Sequence, residues 1–153
     1  MKQFSLTLMM CGTILALLLL PACAAPATPP SFGNVEELTF QSGPFKVVGD
    51  LRLPAGSGPF PVVLFVTGSG PSDRTGSIGG FLPIMERMLQ AGFATFAWDK
   101  PGTGESTPKL NEGDPNLRHQ RAQILLDAIE LMKSRPDIDP TRIGVWEAAR
   151  QAM

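Results

Sequence analysis

The sequence predicts an α/β protein with a mostly parallel sheet, an N-terminal hairpin and the element order β-β-β-α-β-α-β. Three observations lead to this fold class. Two short segments separated by a turn open the globular part, later strand-like segments are apolar without alternation, and segments of helical periodicity separate them. Strands joined through helices form right-handed parallel crossovers, so the later strands are expected to lie side by side in one direction.

The first two strands are predicted to form a hairpin. Val35 to Gln41 and Phe45 to Leu53 are separated by Ser42-Gly43-Pro44, which is typical of a tight turn. Apolar and polar residues largely alternate in the second segment, and this period of two indicates a hairpin with one face in water.

The central strand is expected at Val62 to Val66, because every residue in this run is apolar, as in a strand covered on both faces. A helix is predicted between Phe81 and Gly92, where the glycine would end it in the manner of a C-cap. Phe93 to Trp98 is the next predicted buried strand.

A second helix is expected to begin at an Asp114 N-cap with Pro115 in its first turn, and to end before Pro136. After a turn at 137–140, Ile143 to Trp146 forms the last predicted strand. The apolar stripe of the helix consists of Leu117, Ile124, Leu125, Ala128 and Met132.

The N-terminus has the pattern of a signal peptide. Lys2 precedes an apolar run, Leu6 to Leu20, which is shorter than the roughly 18–20 residues needed to span a bilayer. With 153 residues and a formal net charge of −1, the chain is at most one domain plus a targeting segment, and nothing in it suggests a nucleic-acid partner. We expect a signal peptide at 1–24, a linker at 25–33 and a globular domain at 34–153.

The end of the apolar run leaves two kinds of export open. Leu20-Pro21-Ala22-Cys23 resembles the lipobox of bacterial lipoproteins, in which Cys23 would be lipidated and would anchor the protein to a membrane. The alternative is ordinary cleavage after Ala24 or Ala25, which would discard Cys23. Either way the protein is expected to leave the bacterial cytoplasm, for the periplasm or a membrane surface.

Two glycine-rich turns follow the predicted inner strands. Thr67-Gly68-Ser69-Gly70 could turn its backbone N–H groups toward an oxyanion, or it could be a plain turn that uses glycine for its φ angles. The loop from Asp99 to Ser106 is expected to lie beside a cleft. Asp73, Asp99 and Ser106 are interpreted as loop caps, since such side chains readily bond nearby backbone N–H groups.

Three segments in this order resemble landmarks of the α/β-hydrolase superfamily, near its dienelactone-hydrolase and prolyl-peptidase-like branches. They are VLFVTGSGPSDRTG, FATFAWDKPGTGES and RPDIDPTRIGVW, and the resemblance covers about residues 38–149. It implies a serine esterase or peptidase that acts on small acyl substrates by Ser-His-Asp chemistry and needs no cofactor. It also implies that the fold is incomplete, ending at the turn that would carry the nucleophile.

The resemblance assigns oxyanion donors to the backbone of Ser69 and to that of Arg150, which follows the nucleophile position. That position, where a serine on a sharp turn is required, is occupied by Ala149. The elbow positions are Glu147, Ala149 and Ala152, and a shift of one residue would place Arg150 there instead, so no alignment supplies a nucleophile. Thr67 also stands where the family usually has histidine.

The general base and acid are missing as well. His119 is the only histidine, and it lies at the start of a helix upstream of the elbow, so it is interpreted as a solvated residue. No metal site is expected, since this histidine and the scattered carboxylates lack ligand spacing. The chain is therefore predicted to be catalytically incompetent. The alternative hypothesis is a non-catalytic lipoprotein or pseudoenzyme that serves as an interaction module.

The family's strand order makes a further prediction. Phe93 to Trp98 should lie on one side of Val62 to Val66, with Ile143 to Trp146 on the other, and ligands should bind where the strand order reverses. The last strand is then expected to be an exposed apolar edge that carries a bare Trp146, giving a marginally stable domain.

Overall fold

The computed structural model describes residues 34–77 and 79–148. The signal peptide, the linker, Cys23 and the residues Ala149, Arg150 and Ala152 lie outside this part of the chain, so the predictions about them stay predictions. The elements follow the predicted order: β1 (Val35–Ser42), β2 (Phe45–Arg52), β3 (Phe60–Thr67), α1 (Leu82–Gln90), β4 (Ala94–Trp98), α2 (Leu117–Lys133) and β5 (Ile138–Ala148).

The five strands form one sheet in the order β1-β2-β4-β3-β5. β3 pairs in parallel with β4 and with β5, and the hairpin adds to the other side of β4 through an antiparallel contact between β2 and β4. The predicted fold class and the predicted neighbours of the central strand are confirmed. Because β3, β4 and β5 run in one direction, the loops that follow them start at the same edge of the sheet.

Each helix covers one face of the sheet. Alternate residues of β3 and β4 supply the two cores: Leu64 and Phe96 belong to the cluster beneath α2, while Phe65 and Ala97 belong to the cluster beneath α1. This two-sided burial explains why these strands have no polar alternation. None of the helices described here is long and apolar enough to cross a membrane.

β2 differs from its prediction, because the face expected to be in water is largely covered. Val47, Val48 and Leu51 are all buried. The strand lies between β1 and β4, and the loop after β4 returns to pair Thr107 with Lys46. Apart from the exposed Lys46, the polar side chains of the alternating pattern are therefore covered by other polar groups, and β1 is the strand with an exposed face.

The start of α2 also differs from its prediction. The helix begins at Leu117 after an Asn116 N-cap that makes no side-chain capping bond. Asp114 caps the preceding turn instead: its carboxylate accepts the Asn116 N–H at 2.7 Å and the Gln120 side-chain amide at 3.1 Å. The carboxylate thus satisfies one backbone donor just ahead of the helix and one side-chain donor in its first turn.

β5 is longer and better covered than predicted. It begins at Ile138, which pairs with Phe60, and a register irregularity follows before Ile143 pairs with Val62. The prediction of a bare Trp146 is wrong: the ring is half-buried, with its centroid 5.2 Å from that of Phe65. Only part of the edge is apolar and exposed, as at Val145, which is 49% exposed.

Candidate functional site

The two glycine-rich turns meet at the carboxyl ends of β3 and β4. The Lys100 N–H donates to the Ser72 carbonyl at 3.0 Å, and the Thr103 hydroxyl donates to the same oxygen at 2.7 Å. The turns are therefore one hydrogen-bonded unit beside the central strand. A cavity of about 370 Å³ lies against this unit, lined by residues that include Gly70, Pro71, Lys100, Thr103 and Leu110.

The segment Thr67–Gly70 is the candidate oxyanion loop. Ser69 is exposed, and Gly70 has a φ of +83°, a value that favours glycine. The backbone N–H groups of Gly68, Ser69 and Gly70 donate to no other described residue. Free N–H groups on a turn beside a cavity are what an oxyanion donor requires, and Ser69 has one of them.

β5 ends beside this loop. Its last described pairs join Val66 with Glu147 and Thr67 with Ala148, and Glu147 is exposed. The strand that leads to the predicted nucleophile position is thus in register with the strand that leads to the loop. Ala149, at that position, and Arg150, the second predicted donor, lie outside the described residues.

Asp99 caps the second turn. Its side chain is buried, and its two oxygens accept the N–H groups of Arg74 and Glu105, each at 2.9 Å. Gly104 has a φ of +50° and lies so close to this carboxylate that a Cβ would overlap it. The interpretation of Asp99 as a loop cap is confirmed.

Asp73 caps the first turn. One carboxylate oxygen accepts the Thr75 N–H at 2.8 Å and the Thr75 hydroxyl at 2.6 Å. The hydroxyl bond is the largest cause of a lowered pKa for Asp73; burial opposes it, and backbone N–H groups lower the pKa further. Bonds to the charged form stabilise that form, so this turn is held by an ionised carboxylate.

We predict that Thr75→Val raises the pKa of Asp73 toward its ordinary value of 3.8, because valine keeps the shape and removes the hydroxyl donor. A depressed carboxyl pKa contributes stability above the unfolded-state value that is lost as the pH falls through the folded value, so the variant should lose less stability in acid. NMR titration of the side-chain carboxyl carbon measures the pKa.

Asp139 provides the matched control, because it accepts the Thr141 N–H at 2.9 Å and the Thr141 hydroxyl at 2.7 Å in the same geometry, with its pKa lowered by that hydroxyl. Thr141→Val should raise the pKa of Asp139 and leave that of Asp73 unchanged. An unchanged Asp73 titration in Thr75→Val would contradict the assignment.

Arg74 joins the two turns to the hairpin, a role that the sequence-based predictions do not include. Its guanidinium bonds to Glu37 and Asp50 at 2.8 Å each, to Glu105 at 2.6 Å and to Asp99 at 3.1 Å. Burial works to lower the pKa of Arg74, but the hydrogen bonds to Glu37 and Asp50 and the contact with Asp99 together raise it. The one available signal was the Asp73-Arg74 pair within the matched motif.

The two remaining polar residues considered from the sequence, Ser106 and His119, are not among the residues that line the cavity beside Gly70 and Lys100. Ser106 is buried, and its hydroxyl accepts the Val48 N–H at 2.9 Å, so it holds the loop onto β2 as the cap interpretation predicted. His119 is exposed in the first turn of α2, as expected. Across 34–77 and 79–148, no group of three or more His, Cys, Asp or Glu residues could hold a metal ion.

The fold is similar to that of known hydrolases. An esterase, EstD from Thermotoga maritima, is 30% identical over 93 residues, which cover 59% of this chain and 22% of the relative. The α/β hydrolase GrgF from Penicillium aligns with 21% identity and a TM-score of 0.59 over 74% of this chain and 37% of that one. Dienelactone hydrolase from Anabaena variabilis aligns with 24% identity and a TM-score of 0.55, over 76% of this chain and 52% of that one. No family model matches.

The parallel strands, the paired glycine turns and the helix on each face define a hydrolase-type α/β architecture. The chain has the α/β-hydrolase fold, and its resemblance to that superfamily is confirmed. It spans about a fifth of the length of the curated relative and between a third and about half of the two solved structures.

Proposed function

We propose that this chain forms the oxyanion side of an esterase-type acyl hydrolase that acts on small esters. The single observation that carries the proposal is the Ser69 N–H, which donates to no described residue, on a glycine turn that lies between the ends of parallel strands. The next residue of this turn, Gly70, lines a cavity of about 370 Å³. The similarity to an esterase over 93 residues of the chain supports it.

The chemistry follows from where charge develops. When a nucleophile attacks an ester carbonyl, the oxygen becomes an anion, and preorganised N–H donors stabilise that anion more strongly than the neutral substrate. Loss of one such donor typically costs about a hundredfold to a thousandfold in kcat. The loop supplies this stabilisation but no attacking group, because Ala149 stands at the expected nucleophile position and the last serine of the sequence, Ser134, precedes the strand that leads to it.

Export belongs to the same proposal. The apolar run at 6–20 and the lipobox-like segment ending in Cys23 support secretion, with or without a lipid anchor at that cysteine. Mass spectrometry of the mature N-terminus separates the two cases, since a diacylated Cys23 and a free residue 25 or 26 differ in both mass and sequence.

We predict that the purified 153-residue chain hydrolyses a chromogenic ester no faster than its heat-denatured control, because Ala149 stands at the expected nucleophile position and its one histidine, His119, is an exposed residue of α2. Initial rates with p-nitrophenyl acetate measure this. Turnover well above the denatured control would show that another group attacks the ester, and would refute the inactivity.

A second candidate function is a non-catalytic interaction module. Glu147 and Ala149 at the elbow positions favour it, since neither can serve as the alcohol nucleophile. Reading the gene beyond codon 153 in all three frames discriminates the two. A strand-helix continuation that contains an Asp and then a His favours the hydrolase, whereas a stop without such sequence favours the module.

A further inference from the structure

We propose that Lys100 and Arg121 are positioning residues that hold the oxyanion loop by its carbonyl oxygens and so direct its N–H groups toward the acyl group. The proposal rests on the oxyanion role proposed for the loop Thr67–Gly70. It adds two residues from different elements: Lys100 follows β4, and Arg121 lies in α2.

The contacts converge on one side of the loop. The Arg121 guanidinium donates through one nitrogen to the carbonyl of Thr67 and to that of Gly68, the latter at 3.3 Å. The Lys100 ammonium donates to the carbonyl of Gly70 at 3.0 Å. Both cations line the same gap of about 20 Å³ next to Thr67, so three of the four carbonyls of the loop are held by positive charge.

Because the peptide group is planar, these contacts with the carbonyl oxygens also fix the direction of the N–H donors. In a trans peptide the carbonyl of one residue and the N–H of the next point in opposite directions. With the Thr67 and Gly68 carbonyls directed at Arg121, the N–H groups of Gly68 and Ser69 point away from α2. The Gly70 carbonyl precedes Pro71, which has no N–H, so Lys100 fixes the end of the loop and leaves its donors free.

The charge balance distinguishes the two cations. Lys100 is 5% exposed, and its ammonium also bonds to Glu112 at 3.0 Å. Among the described residues, no carboxylate lies within 4.0 Å of the Arg121 guanidinium, whose partners are two carbonyl oxygens. Its charge is therefore left to act on the loop, where a positive potential favours an anion.

The experiment uses the full chain labelled with ¹⁵N and ¹³C, with butyrate as a carboxylate probe for the oxyanion donors. Chemical shifts of the Ser69 and Gly70 amides report the position of the loop, and butyrate titration reports its affinity. Arg121→Met and Lys100→Met remove the two charges. Arg118→Met, on an exposed residue of the same helix, and Lys46→Met, on an exposed residue of β2, are the matched controls.

We expect Arg121→Met to shift the Ser69 amide and to weaken butyrate binding about tenfold, as loss of a charge-assisted hydrogen bond would. Lys100→Met should shift the Gly70 amide, Lys100→Arg should restore it, and both controls should match the native chain. Native amide shifts and native affinity in both methionine variants would overturn the proposal.

Two further results complete the test. On the unsubstituted chain, the carbonyl carbons of Thr67, Gly68 and Gly70 should be deshielded relative to that of Ser69; equal shifts would overturn the proposal even if every variant unfolded. If butyrate fails to perturb the Ser69 amide while the variants still move it, the oxyanion function fails and the positioning contacts stand.

Discussion

Replacement of Arg74 by methionine is expected to lower the free energy of unfolding by about 3–5 kcal/mol, the usual cost of removing one partner from a buried ion pair. The Arg74 side chain is 13% exposed, and among its partners the side chains of Asp99 and Asp50 are 2% and 16% exposed. Without the guanidinium, the partners that these carboxylates keep among the described residues are Arg52 and backbone donors. The hairpin and both turns should loosen together.

Equilibrium denaturation with urea, monitored by circular dichroism, measures this change. Arg142→Met is the matched control, because Arg142 is exposed and forms no ion pair with a described residue, and it should change the stability by less than about 0.5 kcal/mol. If Arg74→Met and Arg142→Met have the same midpoint, the network around Arg74 does not stabilise the fold. The exposed partners Glu37 and Glu105 are expected to contribute little.

The sequence predicted the architecture because burial on both faces leaves a local pattern. β3 and β4 are apolar throughout, since α1 covers one face and α2 the other, and glycine follows each strand where the backbone turns. The strand order came from the family resemblance, and the pairing of β3 with β4 and β5 confirms it. These features depend on neighbouring residues or on a shared motif.

The structure differs from the predictions where residues distant in the sequence determine which side chains are buried. The alternation in β2 suggested a wet face, yet Asp50 is covered by Arg74, which is 24 positions away in the chain. Trp146 was expected to be bare, yet Phe81, the residue just before α1, packs against it with ring centroids 5.4 Å apart. A single sequence contains no information about which distant side chain will meet another.

The candidate site likewise combines local features, which the sequence predicts, with contacts between distant residues, which it does not. The glycine turn at Thr67–Gly70 and the caps Asp73 and Asp99 could be predicted, because a glycine turn and an Asp near backbone N–H groups are local signals. The contacts of Arg121 with the loop could not, because they join residues 53 and 54 positions apart. Lys100 lies within the matched motif, but only the structure shows that its ammonium reaches the Gly70 carbonyl.

Phe65→Ala is expected to destabilise the chain by about 3–5 kcal/mol, the range measured for deleting a buried phenylalanine ring. Phe65 is fully buried on β3, and its ring lies 5.5 Å from that of Phe81 and 5.2 Å from that of Trp146. These three rings join the central strand to α1 and to β5. The cavity left by alanine would therefore weaken the attachment of β5, which has no other strand neighbour among the described residues.

Denaturation curves and the near-ultraviolet circular dichroism of the aromatic residues test this prediction. Leu126→Ala is the control, since Leu126 is 55% exposed on α2 and should cost less than about 1 kcal/mol. A loss in Phe65→Ala no larger than in Leu126→Ala would mean that the ring cluster does not hold β5 against β3. Because Phe65 lies two residues before Thr67, the same substitution should also move the Ser69 amide, which links the stability of this edge to the geometry of the oxyanion loop.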